Sequence, residues 1–108
     1  MNVQITSRHS RVSQDTREFI KSELANLEKF SDMIQSCHVI IDTERNEKVV
    51  ELVAKLAGTS ATAKATEENL GKAVDSALEK LTRQLKKYNE KLKDHKAIKM
   101  GELAEVVE

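Results

Sequence analysis

Four cations near the end of the chain, Lys80, Arg83, Lys87 and Lys91, recur at spacings of three and four residues. A helix turns about 100° per residue, so this spacing places all four on one side of a helix. At 1.5 Å rise per residue the row spans ~17 Å, long enough to contact several phosphates. A line of cations suits a polyanion, and the pattern therefore predicts binding to RNA or DNA.

Catalytic and metal-binding patterns are missing from the sequence. His9, His38 and His95 are far apart, no serine lies in a G-x-S-x-G motif, and the glycines form no phosphate-binding loop. Cys37 and His38 could ligate a metal, but neighbours on a strand point to opposite faces, and zinc needs three or four converging ligands. We therefore expect no catalytic residue, metal ion, cofactor or small-molecule substrate.

The row belongs to a long amphipathic helix predicted over Asn69–His95. A separate apolar stripe runs along this segment, made of Leu70, Val74, Ala77, Leu78, Leu81, Leu85, Tyr88 and Leu92. Because the stripe and the cations lie on different sides, a helix that buries its leucines holds its cations in solvent.

The remaining elements alternate between strand and helix patterns. Strands are predicted over Asn2–Thr6, Ser36–Thr43, Lys48–Ala57 and Ser60–Thr66, with turns at Glu44–Glu47 and Gly58-Thr59. Ser13 is a suitable N-cap for a first helix that continues to about Phe30. The predicted apolar stripe of this helix is Phe19, Ile20, Leu24, Leu27 and Phe30.

This order, β-α-β-β-β-α, predicts an α+β fold. The first strand, helix and second strand form a crossover, so the first two strands should be parallel, and the two hairpins make the rest antiparallel. We expect a four-stranded sheet with both helices packed on one face and the other face open to water. This arrangement resembles double-stranded RNA-binding domains.

Size and charge narrow the function further. The 108 residues suit one domain, and the 18 cations balance the 18 acids to give no net charge. Residues 72–99 nevertheless carry nine cations against four acids, so a directed basic face fits better than general coating of nucleic acid. With one cysteine and no long apolar run, we expect a cytoplasmic protein that does not bind membranes.

One family matches these segments in detail. The segment DSALEKLTRQLKKYNEKLKDHK (Asp75–Lys96) resembles the bacterial hibernation-promoting factor and ribosome-associated inhibitor A family, also called sigma-54 modulation proteins. The start MNVQITSRH, the helix REFIKSELANLEKF and the strand HVIID match the layout of the same family. The resemblance covers about residues 1–96.

The resemblance implies a partner and a set of contacts. Members bind the small ribosomal subunit, and so the 70S ribosome, in the channel used by mRNA and the A- and P-site tRNAs. They block translation and keep ribosomes inactive under stress or in stationary phase. By matching positions, the implied RNA-binding residues are Lys80, Arg83, Lys87 and Lys91, then Lys86 and Lys29, with Arg17 weaker.

Some positions depart from the family pattern. Glu23 and Asn26 stand where members often have cations, so we expect the first helix to contribute less. Gly71 stands where the family usually has Tyr. The resemblance also implies a short form without the second domain of longer members, monomeric away from the ribosome. In it, residues 97–108 form a short flexible acidic tail after a ribosome-binding domain of residues 1–96.

Two other functions stay open from the residues themselves. One is a general module for structured RNA, which would bind free duplex RNA as tightly as ribosomes. The other is a protein–protein adaptor that uses the long helix or the exposed sheet face, where Val49 or Val53 would contact the partner.

Overall fold

The computed structural model of the chain describes residues 2–8 and 11–94. It contains four strands and two α-helices in the predicted order: β1 (Asn2–Ser7), α1 (Gln14–Leu24), β2 (Ser36–Glu44), β3 (Glu47–Leu56), β4 (Thr59–Glu67) and α2 (Leu70–Asp94), with a 3₁₀ helix (Ala25–Phe30) directly after α1. The α+β fold class is therefore confirmed. The predicted tail over 97–108, together with His9 and His95, lies outside the described residues.

The sheet has the order β1-β2-β3-β4. Strand β1 pairs with β2 in parallel, while β2–β3 and β3–β4 are antiparallel, as the crossover and the two hairpins predict. In the β2–β3 hairpin Glu44 pairs with Glu47, which leaves Arg45 and Asn46 as a two-residue turn with φ of 49° and 68°. Positive φ at both positions matches the twist that a tight hairpin needs.

The first helix begins as predicted but ends earlier. Ser13 is the N-cap, and its Oγ accepts a hydrogen bond from the Thr16 backbone N–H at 3.1 Å. The prediction of one helix to Phe30 was wrong, because the α-helix ends at Leu24 and continues as the 3₁₀ helix. Leu24, Leu27 and Phe30 are spaced by three, and 3.0 residues per turn keeps all three on the core side.

Both helices cover one face of the sheet, where the core lies. Ala61, Ala63 and Ala65 of β4 are only 2–3% exposed, and these small side chains let α2 lie close to the sheet. The leucine stripe of α2 is buried in the same core, including Val74, Leu81 and Leu85. The two-layer arrangement predicted from the periodicity is thus present.

Two apolar residues depart from their predicted places. Phe19 was expected in the core stripe, but it is 39% exposed. It lies on the flank of α1 that meets the start of α2, where a Cβ on Gly71 would be 3.9 Å from Phe19 Cζ. Val49 was expected to be available on the exposed sheet face, but it is only 4% exposed and lies outside the main core cluster. It therefore offers little surface for an adaptor.

Candidate nucleic-acid interface

Helix α2 carries the predicted cation row, and its start is well defined. The Asn69 side-chain Oδ1 accepts a hydrogen bond from the Lys72 backbone N–H at 2.9 Å, which caps the first turn. From Leu70 the helix runs for 25 residues without interruption. The cap and the buried stripe together fix which side of α2 meets the solvent.

One flank of α2 lies beside the edge strand β4. Lys80 Nζ donates a hydrogen bond to the Lys64 carbonyl oxygen at 3.0 Å, and Gln84 Nε2 donates to the Thr62 carbonyl oxygen at 2.9 Å. Arg83 and Lys87 lie within about 60° of Lys80 around the helix, so they share this flank. Lys80, Arg83 and Lys87 therefore lie along the free edge of the sheet, and all three are exposed.

Arg83 has an acidic neighbour on the helix. Its guanidinium lies 3.7 Å from the Glu79 carboxylate, and the two side chains are 67% and 74% exposed. Exposed pairs at this spacing contribute only about 0.3–0.5 kcal/mol, so Arg83 can leave Glu79 for a phosphate at little cost.

The opposite flank of α2 faces α1. There Glu23 of α1 makes a side-chain hydrogen bond with Asp75 of α2. This hydrogen bond, with smaller contributions from desolvation and the Asp75 charge, raises the pKa of Glu23 above its ordinary value. An acidic pair thus occupies the junction of the two helices.

The other predicted site residues are spread over several surfaces. Lys86 is exposed on α2, about 60° from Arg83 on the side toward α1. Lys29 lies on the 3₁₀ helix with its Nζ 5.4 Å from the centre of the Phe30 ring. Arg17 is half-buried, about 160° around α1 from Phe19, and so lies on the flank away from α2. Lys91 belongs to α2, but its side chain is outside the described part.

The structure thus brings Lys80, Arg83 and Lys87 together on one flank of α2, while Arg17 lies on the flank of α1 that is turned away from α2. Sequence reasoning missed Gln84 and the pair Glu23 and Asp75. Gln84 gave a signal in the sequence, because it is a polar residue beside the leucine stripe. In the structure it is only 9% exposed. The acidic pair gave none, since its two residues are far apart in sequence.

The cysteine and its histidine neighbour behave as strand geometry requires. Cys37 is buried at 1% exposure, and burial raises the pKa of its thiol to about 11. His38 is on the other sheet face, where its Nε2 is hydrogen bonded to Thr6 Oγ1 at 2.7 Å. Within residues 2–8 and 11–94 no three His, Cys, Asp or Glu side chains converge on a metal position. No helix in that part is long and apolar enough to cross a membrane.

Fold and site define a class: small α+β domains that present a row of cations from one long helix held along a sheet edge. The family described as sigma 54 modulation protein / S30EA ribosomal protein matches residues 3–93, and the chain belongs to this family. The family expected from the segment resemblance is therefore confirmed.

Individual relatives agree with this assignment. The ribosome hibernation promoting factor of Pseudomonas putida is 35% identical over 91 residues, which cover 84% of this chain and 89% of that protein. The protein of the same name in Escherichia coli K12 is 30% identical over 95 residues, covering 88% of this chain and all of the relative.

Solved structures give the same fold. A ribosomal subunit interface protein from Coxiella burnetii is similar with a TM-score of 0.78 and 30% identity, over 82% of this chain and 98% of that one. The N-terminal domain of Thermus thermophilus Protein Y is similar with a TM-score of 0.74 over 82% of this chain and 99% of that one. At 21% identity, the second likeness supports the fold alone.

Proposed function

We propose that this chain is a ribosome hibernation factor of the cytoplasm, which binds the small subunit and the 70S ribosome and inhibits translation. The names of the Pseudomonas and Escherichia relatives support this function, as does the name of the Coxiella structure. The partner is ribosomal RNA, and the protein makes and breaks no covalent bond.

The proposed mechanism is steric. The folded domain occupies the decoding channel, in the region of mRNA and the A- and P-site tRNAs, and phosphate contacts hold it there. Lys80, Arg83 and Lys87 are the main contacts, with Lys86 and Lys91 beside them. Lys29 and Arg17 are proposed as additional contacts to RNA that reaches the surfaces around α1.

One observation carries this proposal: the exposed row of Lys80, Arg83 and Lys87 along the β4 edge. The Lys80 and Gln84 hydrogen bonds fix α2 to that edge, so the row is preorganised before RNA arrives. A rigid row can contact successive phosphates without the entropy cost of ordering a loop.

The test is sedimentation of 70S ribosomes with the Arg83→Glu, Lys87→Glu double variant. We expect the wild-type protein to migrate with 70S particles in a sucrose gradient, protect them from splitting at low magnesium and lower cell-free translation. The double variant should lose all three effects, because two reversed charges repel phosphate.

The matched control is Lys21→Glu with Lys72→Glu. It makes the same change in net charge at exposed positions, one on the flank of α1 away from α2 and one in the first turn of α2. It should retain wild-type sedimentation. Binding of the Arg83 and Lys87 variant at wild-type strength would refute the proposed contacts. Equal affinity of the wild type for free duplex RNA and for ribosomes would favour the general RNA-binding alternative.

A further inference from the structure

A pocket lined by both polar and apolar residues lies on the sheet face opposite the helices, at the end where β3 turns into β4. It has a volume of about 610 Å³ and is open to solvent. Cross-strand pairing puts Lys55 between Ser36 and Ser60, and the adjacent pair His38 and Val53 forms the floor. Lys80, Arg83 and Lys87 of the row on α2 do not line it.

Several polar side chains that line the pocket are of the types that recognise a nucleotide. The His38 ring makes a 2.7 Å hydrogen bond to Thr6, which restrains the ring on the open face of the sheet. The amides of Gln4 and Gln35 can donate and accept hydrogen bonds with a base edge. Among the described residues that line the pocket, Lys55 is the one formally charged side chain, and it is exposed.

The α2 row leads toward this pocket. Lys80 is level with Lys64 and Gln84 is level with Thr62, so α2 runs antiparallel to β4. Four helical residues advance ~6 Å and two strand residues ~6.6 Å, so the two elements stay in step. Lys87 is therefore level with about Ser60, which lines the pocket on the other side of the β4 edge.

The rest of the open sheet face carries more acid. At the β2–β3 hairpin Glu44 pairs with Glu47. In the middle of the face Glu51 is opposite Lys64. Among the described residues, the pocket end combines Lys55 with neutral polar groups and no acid, so an RNA strand on this face is favoured there and repelled near the hairpin.

We propose that the pocket holds one unstacked nucleotide of an RNA strand whose neighbouring phosphates bind Lys87 and Arg83 around the β4 edge. The His38 ring stacks on the base, Lys55 pairs with a phosphate, and the two glutamine amides contact the base edge. Single-stranded RNA is commonly bound through such stacking and edge contacts. This inference rests on the proposed function and extends its RNA surface to a second face.

The test compares three variants: Lys55→Glu, His38→Ala and the control Lys64→Glu. Lys64 is on the same sheet face but does not line the pocket, and its substitution makes the same charge change as Lys55→Glu. We expect Lys55→Glu to weaken binding to 70S ribosomes about tenfold, while Lys64→Glu stays within about twofold of the wild type. Loss of base stacking in His38→Ala should cost roughly five- to a hundredfold.

A second measurement does not depend on variants. Titration of the wild-type protein with a single-stranded RNA hexanucleotide should shift the NMR signals of the His38 ring and the Lys55 amide, and leave those of Glu47 unchanged. Equal binding by Lys55→Glu and Lys64→Glu, with no shift at His38, would overturn the pocket proposal alone. Failure of the wild-type protein to migrate with ribosomes would instead refute the proposed function.

Discussion

Glu23 and Asp75 place two carboxyl groups in direct hydrogen-bond contact at the junction of α1 and α2. The contact is favourable when one of them holds a proton and unfavourable when both are ionised. When both are ionised, their repulsion works against helix docking, and their negative charge works against anion binding at this junction.

A first prediction concerns Glu23→Gln. Because the folded pKa of Glu23 is raised above its ordinary value of 4.5, the folded protein binds this proton more tightly than the unfolded chain. Stability should therefore fall as pH rises from about 4.5 through the raised pKa. Urea unfolding between pH 4 and pH 7 should show that Glu23→Gln lacks this pH-dependent fall in the free energy of unfolding. At pH 7 the variant should be more stable than the wild type.

The control for this variant is Glu18→Gln, on an exposed position of the same helix. It should keep the wild-type decline of stability over this pH range. If Glu23→Gln also kept that decline, the hydrogen bond to Asp75 would not be its source.

A second prediction contrasts two glycines. A Cβ at Gly71 would meet its nearest neighbours, Asn69 Oδ1 and Phe19 Cζ, at 3.5 and 3.9 Å, which is ordinary contact. Gly71→Ala should therefore stabilise the protein by about 0.5–1 kcal/mol, because alanine favours a helix. Gly58 has φ of 78°, so Gly58→Ala should destabilise by about 1–2 kcal/mol. Thermal unfolding checks both signs, and a rise in Tm for Gly58→Ala would contradict the turn geometry.

At the scale of elements, α2 is attached to the sheet along its edge as well as through its leucines. A free strand edge exposes carbonyl and N–H groups that invite pairing with another chain. Here Lys80 and Gln84 bind two carbonyl groups of β4, so one helix both covers part of the edge and presents the cation row.

A third prediction tests this attachment. Gln84→Ala should cost about 1–2 kcal/mol in urea unfolding, because the hydrogen bond from Gln84 to the Thr62 carbonyl is partly buried. Lys80→Ala is the matched control, since its hydrogen bond to the Lys64 carbonyl is exposed, and it should cost under about 0.5 kcal/mol. Equal costs for the two variants would mean that Gln84 does not fix α2 on β4.

The elements themselves were predictable because two periods dominate the sequence. Alternation in β3 and β4 and the three-and-four spacing of the α2 leucines each decide the element and its buried face. Periodicity wrongly predicted that Phe19 is buried. The spacing of apolar residues within α1 carries no information about the glycine that lies opposite Phe19 on α2. Periodicity also missed the change to a 3₁₀ helix, although the spacing of Leu24, Leu27 and Phe30 fits three residues per turn.

The candidate site was predictable only in part. Spacing along α2 was enough to group Lys80, Arg83 and Lys87, since one helix fixes their relative positions. Whether Arg17 joins them depends on how α1 rotates against α2, and contacts such as Glu23 with Asp75 decide that rotation. Contacts between elements far apart in sequence leave no local pattern. The contact between Glu23 and Asp75 and the position of α2 along the β4 edge could therefore be seen only in the folded structure.

At the scale of the whole molecule, zero net charge conceals a separation of charge. The hairpin end carries Glu44, Glu47 and Glu67 against Arg45 and Lys48, as the strand register shows. Since α2 starts at that end and runs away from it along β4, Arg83 and Lys87 are held far from these acids. RNA attracts the basic flank of α2 and repels the acidic hairpin end, and this difference favours docking in one orientation.

A fourth prediction follows for the salt dependence of ribosome binding. Each cation that neutralises a phosphate steepens the fall of log K with log salt by about 0.7–0.9. Arg83→Gln and Lys87→Gln should each make the slope shallower by about that amount, measured as binding to 70S ribosomes over a series of KCl concentrations. Glutamine removes the charge but retains a polar side chain, so folding should be unaffected.

The control for the salt series is Lys72→Gln, which removes one exposed cation from the first turn of α2, close to the acidic hairpin end. If net charge alone attracted the protein to RNA, this variant would flatten the slope as much as Arg83→Gln does. If the row along β4 makes the phosphate contacts, Lys72→Gln should keep the wild-type slope. Equal salt-dependence slopes for Arg83→Gln, Lys87→Gln and Lys72→Gln would therefore contradict phosphate contacts by the row, even if each variant still bound ribosomes.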